Sequence, residues 1–135
     1  MGTLIDASVL TAAERGDLDL ERLLRGERSD EAPVALAAIT ASELLHGVYR
    51  LPPGVRRARA ELFVNGVLAE LPVIPFDMNV ARVHATLGAE LRARGTTIGA
   101  HDLIIAATAV SLGYDVAARD LRSFPKIRGL ELRRW

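Results

Sequence analysis

The chain alternates short apolar runs with longer stretches of helical periodicity, and this pattern limits its fold more than any other feature. The apolar runs, interpreted as strands, cover residues 2–6, 33–39, 72–75, 114–118 and 130–134. Helices are predicted between them at residues 7–15, 17–25, 40–50, 55–71, 77–94 and 100–112. A polar turn is predicted at 27–31, and a loop with a short turn at 120–129. Short apolar runs of this kind are typical of strands buried on both faces of a parallel sheet.

Strands that alternate with pairs of helices predict an α/β protein. Right-handed crossovers would place helices on both faces of the sheet. We therefore expect a three-layer α/β/α fold around a central, mainly parallel five-stranded sheet. A length of 135 residues suits one domain, so a single domain is predicted over residues 1–135. In such sheets the functional crevice lies beyond the carboxyl ends of the strands.

The composition excludes several kinds of site. The chain has no cysteine, which excludes disulfides, thiolate zinc sites, iron–sulfur clusters and cysteine nucleophiles. Glycine-rich nucleotide motifs and the serine elbow are absent, and the three histidines lack a metal-binding spacing. A net charge of zero gives no support to strong non-specific DNA binding. No apolar run is long enough to span a membrane and no signal peptide is visible, so we expect a cytoplasmic protein.

Acidic residues follow the predicted strands at the edge where a crevice would form. Asp6 ends the first strand, Glu43 follows the second, Asp102 lies in the first turn of the helix at 100–112, and Asp120 follows the fourth strand. Carboxylates gathered around one crevice repel one another unless they are protonated or paired with a cation. A set of oxygen ligands suits Mg²⁺ or Mn²⁺ better than zinc. Asp77 also opens a helix, but it is assigned only a capping role.

Each of these acids has a structural explanation as well, and the residues alone leave both interpretations open. Asp6 could cap the helix that follows it. Thr40 and Glu43 match a capping box, in which the glutamate reaches back to the threonine amide. Asp102 could complement the helix dipole, and Asp120 could be a turn residue.

Four segments of the chain resemble one known family. They read LIDASVLTAAERG, ITASELLHGV, GAHDLIIAATAVSLGYDVAARDLRSF and PKIRGLEL. Together they resemble the PIN-domain ribonucleases, and most closely the VapC toxins of bacterial toxin–antitoxin pairs. The resemblance covers essentially all 135 residues. It implies an Mg²⁺- or Mn²⁺-dependent endoribonuclease that hydrolyses RNA with a water activated by the metal.

The resemblance also assigns roles to particular residues. The family's metal-binding acids match Asp6 in D-x-S, Glu43 in A-S-E-L and Asp102 in G-A-H-D. Asp6 and Asp102 would be direct ligands, whereas Glu43 would bind through water or act as the general base. Ser8 matches a small hydroxyl residue near the metal, where it would hold Asp6 or a water; the alternative is that it only supports the start of the helix.

The fourth acid of the family matches less well. The family's late segment often reads T-R-N/D-x-x-D-F, whereas this chain has Ala118 in place of the threonine and Ser123 in place of the later acid. Asp120 is then the acid available for that corner of the site, as a metal ligand through water or as the general base. The altered segment leaves open a catalytically silent PIN-like module that binds RNA or protein. A nuclease that acts on structured DNA is a third alternative.

The resemblance implies partners as well. An RNA substrate is expected to contact the basic residues near the crevice, which are Arg119, Arg122, Lys126 and Arg128. A VapB-like antitoxin is expected to block the acidic site, and both a homodimer and a toxin–antitoxin hetero-oligomer are expected. The antitoxin would insert a peptide into an apolar groove between the helices at 40–50 and 55–71. The candidate groove residues, for which core packing is the alternative, are Leu44, Leu45, Val48, Leu62 and Phe63.

Overall fold

A parallel sheet of five strands forms the centre of the protein. The computed structural model describes residues 1–27 and 32–135. Its strands are β1 (Thr3–Ile5), β2 (Val34–Ala37), β3 (Val73–Ile74), β4 (Asp115–Ala118) and β5 (Leu132–Arg134). They are ordered β3-β2-β1-β4-β5, and each adjacent pair is parallel. The predicted mainly parallel five-stranded sheet is confirmed.

Six α-helices connect these strands within the described residues. They are α1 (Ala7–Glu14), α2 (Leu20–Glu27), α3 (Ala38–Tyr49), α4 (Val55–Glu70), α5 (Met78–Ala93) and α6 (Ala100–Leu112). A single 3₁₀ turn at Phe124–Lys126 lies in the predicted loop after β4. No helix among the described residues has both the length and the apolar character needed to cross a bilayer.

The helices cover both faces of the sheet. Alternate residues of a strand point to opposite faces, so Leu4 packs in the layer with α5 and α6 and Ile5 packs in the layer with α1, α3 and α4. The centre of α6 is buried continuously over residues 105–109, as predicted from its apolar sequence. This arrangement confirms the three-layer α/β/α fold.

The order of the strands creates a switch point between β1 and β4. From β1 the chain proceeds to β2 and β3 on one side, and it then returns to place β4 and β5 on the other side. Connections that leave β1 and β4 in opposite directions open a crevice at their carboxyl ends. Asp6 follows β1 directly, and Arg119 follows β4. The fold thus puts these two segments on either side of the crevice.

The junction of β2 and α3 corrects one prediction. The apolar run at 33–39 contains a strand that ends at Ala37 and the first two residues of a helix, because α3 begins at Ala38 with Ala37 as its N-cap. Thr40 is therefore inside the first turn rather than at the cap. The predicted capping box of Thr40 and Glu43 is wrong for this reason, and it no longer explains the position of Glu43.

Other boundaries also differ from prediction. The helix predicted at 17–25 begins at Leu20, and Asp19 accepts a hydrogen bond from the Arg22 amide at 3.1 Å beside its first turn. The strand predicted at 72–75 is limited to Val73–Ile74, because prolines lie on both sides of it. Of the turn predicted at 27–31, residue 27 ends α2 and the remainder lies outside the described residues.

Candidate metal and catalytic site

Asp6 lies at the switch point, where β1 passes into α1. It is the N-cap of α1, and its Oδ2 accepts hydrogen bonds from the amide of Ser8 at 3.1 Å and from the Ser8 hydroxyl at 2.6 Å. The residue is 8% exposed. Burial is the main cause that raises the pKa of the Asp6 carboxyl, the Ser8 hydrogen bonds oppose the rise, and the negative charge of Asp102 adds to it. A nearby cation would stabilise the ionised form of this buried carboxyl.

Ser8 forms hydrogen bonds to residues on both sides of the crevice. Its hydroxyl donates to Asp6 and accepts a hydrogen bond of 3.0 Å from the amide of Arg119. The Asp6 amide also donates to the carbonyl of Ala117 at 2.8 Å. The end of β1 and the segment after β4 therefore hold the Asp6 carboxylate in place from both sides. The role of Ser8 near a metal stays a prediction.

Glu43 brings a second carboxylate to the crevice from α3. Its side chain is 30% exposed, and Nδ1 of His101 lies 3.1 Å from its Oε1. That oxygen is buried and has no hydrogen bond of acceptable geometry among the described residues. His101 therefore lies close to Glu43 without forming a hydrogen bond to Oε1. Burial is the main cause that raises the pKa of the Glu43 carboxyl; His101 opposes this rise, and the charges of Asp6 and Asp102 reinforce it.

Asp102 is the third acid of the group and comes from the first turn of α6. Its negative charge acts on both Asp6 and Glu43, which means that the three side chains share one electrostatic environment. We call Asp6, Glu43 and Asp102 the acidic triad. Its members come from three helices that begin at the carboxyl edge of the sheet, two of them directly after β1 and β2.

The acidic triad has the chemistry of a site for a hard cation without forming a closed cage. Among the residues that the structure describes, no three His, Cys, Asp or Glu side chains converge closely enough to hold a metal ion. Like charges repel, so the charges of these carboxylates oppose one another's ionised form until a cation offsets them. The donor set nevertheless fits Mg²⁺ or Mn²⁺, because all its ligands are carboxylate oxygens and Oε1 of Glu43 is buried without a hydrogen bond.

Asp120 is engaged elsewhere. Arg122 donates to both of its oxygens, from Nε at 2.9 Å and from Nη2 at 2.6 Å, and the Arg122 amide adds a third bond of 3.2 Å. These bonds hold the pKa of Asp120 at about 2. The side chain of Asp120 is 48% exposed, and its carboxylate is paired with a guanidinium rather than grouped with the acidic triad. A metal-binding role for Asp120 remains a prediction.

The basic residues that were predicted to bind RNA are spread over the loop after β4. Arg119 lies next to Ser8, with its guanidinium 3.5 Å from the carbonyl oxygen of Trp135. Arg122 is paired with Asp120, although the charge of Asp102 also acts on it. Lys126 donates to the carbonyl of Thr97 at 3.3 Å, and Arg128 is exposed. Arg119 and Arg122 are therefore the two that lie near the acids. RNA contact by these residues stays a prediction.

A groove of about 450 Å³ reaches Glu43 from the side of α3 and α4. Of the five predicted groove residues, Leu44 and Val48 line it, whereas Leu45 and Phe63 pack against the core and Leu62 is 77% exposed. Leu62 is therefore outside the groove lining.

One wall of this groove and one neighbour of the acids were not predicted from the sequence. The wall is α1, and three arginines, Arg15, Arg50 and Arg56, also line the groove. The neighbour is His101, which lies 3.1 Å from Glu43 and for which no role in the site was predicted. Its position directly before Asp102 in the chain was a signal that it would lie near the acids.

Comparison with known proteins gives a consistent result. The family model of the PIN domain matches residues 3–130. The chain is 31% identical over 132 residues to Ribonuclease VapC1 of Rickettsia felis, covering 98% of this chain and 95% of that protein. It is 34% identical over 132 residues to VapC ribonuclease Y4jK of Sinorhizobium fredii, covering 96% and 94%.

A solved structure agrees with these sequence matches. It is the crystal structure of VapBC-5 from Mycobacterium tuberculosis, described as a member of the VapBC family of toxin–antitoxin systems. It superposes with a TM-score of 0.77 at 26% identity, covering 99% of this chain and 98% of that chain.

Proposed function

The chain belongs to the PIN-domain family and, within it, to the VapC ribonucleases, and we propose that it is the toxin of a toxin–antitoxin pair that hydrolyses RNA at the acidic triad. One observation carries this proposal. Asp6, a buried carboxylate at the switch point of the sheet, shares its electrostatic environment with Asp102 and Glu43. We propose further that residues 1–135 form one PIN domain.

Asp6 and Asp102 are the proposed direct ligands of a divalent cation, with Mg²⁺ or Mn²⁺ as the ion that suits carboxylate oxygens. When bound, such a cation polarises the phosphodiester and lowers the pKa of a water molecule towards neutrality. Glu43 is proposed to bind the cation through water or to act as the general base. Its carboxylate reaches the crevice from α3, with Nδ1 of His101 at 3.1 Å from Oε1.

The proposed partner is a VapB-like antitoxin, in keeping with a relationship to toxin–antitoxin proteins. The groove beside Glu43 supports this assignment, because a peptide that fills it would contact both Leu44 and the acid. We also propose a homodimer, assembly with the antitoxin into a hetero-oligomer, and a cytoplasmic location, where the RNA substrate is found.

Cleavage of RNA by the purified full chain tests the proposal. Cleavage of a single-stranded RNA is expected in Mg²⁺ or Mn²⁺ and should stop when the metal is chelated. Asp102→Asn should lower the rate of cleavage by at least about 100-fold. Loss of a residue that only supports a metal ligand lowers activity by up to about 100-fold, and loss of the ligand itself should lower it at least as much. Asp77→Asn is the matched control, because Asp77 caps α5 by accepting from the Val80 amide at 2.9 Å and asparagine caps equally well.

Two outcomes would contradict the mechanism. If Asp102→Asn and Asp77→Asn cleave RNA at the same rate, the acidic triad is not the catalytic centre. If crystals grown with Mn²⁺ show Asp6 and Asp102 without a shared cation, their role as ligands is wrong. A protein that binds RNA and cleaves none in Mn²⁺ would instead be the catalytically silent module, for which the named relatives give no support because they are ribonucleases.

A further inference from the structure

A cleft of about 410 Å³ lies between α1 and the segment after β4. It shares Thr11 and Arg15 with the groove. Ser8, Thr11 and Arg15 line it from α1 and its C-cap, and Arg119 and Asp120 line it from the opposite side. We call it the α1–β4 cleft. It adjoins the acidic triad through Ser8, whose hydroxyl contacts Asp6 at 2.6 Å.

The charge of the α1–β4 cleft is positive on balance. Asp120 is neutralised by its two side-chain bonds to Arg122. Neither Arg15 nor Arg119 forms an ion pair with a carboxylate among the residues that the structure describes. Asp17 is the remaining acid in the lining, so two guanidiniums face one unpaired carboxylate. Arginine presents its donors in a fork that matches phosphate.

The shape of the cleft favours an extended polyanion over a single small ion. Ser8 and Arg15 are seven residues apart along α1, which corresponds to about 10 Å of helix. Arg119 is at the end near Ser8, since its amide donates to the Ser8 hydroxyl. Arg15 and Arg119 therefore begin at opposite ends of this lining, with Thr11 between them along the helix. The Arg119 guanidinium lies 3.5 Å from the Trp135 oxygen. Two arginines placed in this way suit phosphates along one strand.

The lining also indicates what part of a nucleic acid would be recognised. Among the described residues, the side chains that line the cleft include no aromatic ring, so these residues offer no platform on which bases could stack. Contacts to phosphate oxygens hold a strand in register without reading its sequence. A polyanion that approaches three carboxylates is repelled by them, and cations beside the site offset that repulsion.

We propose that the α1–β4 cleft binds the RNA backbone next to the scissile bond, with Arg15 and Arg119 as its phosphate contacts. This inference rests on the proposed ribonuclease function. Arg15 and Arg119 act as binding residues for the flanking phosphates, whereas the scissile phosphate lies at the acidic triad on the far side of Ser8.

Binding and cleavage measurements on the full chain test the cleft separately from the reaction. Arg15→Gln, Arg119→Gln and the double variant are compared with Arg82→Gln, an exposed arginine of α5 in the layer on the opposite face of the sheet. Each cleft substitution should raise KM for a single-stranded RNA about tenfold with little change in kcat, because it removes binding shared by the ground and transition states. Arg82→Gln should leave both constants unchanged.

RNA affinity measured in the inactive Asp102→Asn protein provides the second readout. By fluorescence anisotropy with a labelled RNA, the slope of log Kobs against log salt should fall by about 0.7 for each arginine removed. Arg15→Lys should restore the slope, since it keeps the charge, but should recover only part of the affinity because it lacks the fork.

The outcomes separate the two proposals. If the wild type cleaves RNA while the double variant keeps its KM and its salt slope, the cleft is not a phosphate site and the ribonuclease function stands. If the wild type cleaves no RNA but the slope falls with each arginine, the cleft binds the backbone and the ribonuclease function is wrong. If none of these substitutions changes the RNA affinity, the proposal that the α1–β4 cleft binds RNA is wrong in either case.

Discussion

Replacing Asp6 by asparagine should change the stability of the metal-free protein and its activity in opposite directions. The residue is 8% exposed, and burial holds the pKa of its carboxyl above the ordinary value. Ionisation at neutral pH therefore opposes folding. Asparagine has the same shape, caps a helix about as well, and can accept the bonds that Ser8 donates. The substitution removes a buried charge and keeps the packing.

The size of this effect follows from the linkage between pKa and stability. Each unit by which the folded pKa exceeds the unfolded one costs about 1.4 kcal/mol at a pH above both. For a chain of 135 residues, an unfolding entropy of roughly 2.1 cal/mol/K per residue makes 1 kcal/mol equal to about 3.5 °C in Tm. At a pH below 3.8, the ordinary pKa of an aspartate, the Asp6 carboxyl is neutral in both the folded and the unfolded state. The loss of folding stability caused by its ionisation grows as the pH rises from there towards the folded pKa. The Tm advantage of the variant should therefore increase as the pH rises above about 4 and level off once the pH exceeds the folded pKa.

A divalent cation should reverse this order. At a concentration 100 times Kd, a ligand stabilises the folded state by about 2.7 kcal/mol, or about 9 °C for this chain. The wild type should show such a rise in Mn²⁺, whereas Asp6→Asn should show little of it because it lacks an anionic ligand. Its cleavage of RNA should fall by at least about 100-fold.

Calorimetry in EDTA and in Mn²⁺ at several pH values measures both effects, with Asp77→Asn as the variant that removes an acid outside the acidic triad. If metal-free Asp6→Asn unfolds at a lower temperature than the wild type at neutral pH, the assignment of burial as the dominant influence on Asp6 is refuted. If Mn²⁺ raises the Tm of both proteins equally, Asp6 is not a ligand.

Three further substitutions test other parts of the site. Gly47 lines the groove, and a Cβ there meets no atom of the described residues within 4 Å. Gly47→Leu should project into the groove, weaken inhibition by the antitoxin and raise Tm by about 3 °C through helix propensity. Gly47→Ala should keep inhibition, and equal inhibition of both variants would exclude this groove. Ser8→Ala removes two hydrogen bonds and should lower Tm by about 7 °C while raising the pKa of Asp6 further; an unchanged melting curve would contradict its bridging role. Arg122→Gln should return the pKa of Asp120 from about 2 towards 3.8, as followed by NMR titration; a pKa that stays low would show that another group holds this carboxylate.

The helices and the fold class could be predicted because their patterns are local. The predicted helix at 100–112 coincides with α6, whose apolar residues and closing Gly113 are adjacent in the chain. The boundary at β2 failed because an apolar run looks the same in a buried strand and in the first turn of a buried helix. Pairing with β3 ends at Ala37 and Ile74, and that pairing is not visible in the run itself.

The pairing of Asp120 is a different kind of failure. Arg122 is two residues away in the chain, so the ion pair was within reach of a local interpretation. It was not predicted, because Asp120 had been assigned to a metal and Arg122 to RNA. Arg122 donates to both oxygens of Asp120, whereas the carboxylates of the acidic triad have no such arginine partner among the described residues.

From the sequence alone it followed that acids stand at strand ends and that parallel strands would bring those ends to one edge. The tertiary structure alone decided that the charge of Asp102 raises the pKa of the Asp6 and Glu43 carboxyls, and that Arg15 and Arg119 line one cleft. The physical reason is range. Periodicity and capping act over one or two turns of chain, whereas burial and electrostatic coupling depend on distances between residues that lie far apart in sequence and meet only when the sheet forms.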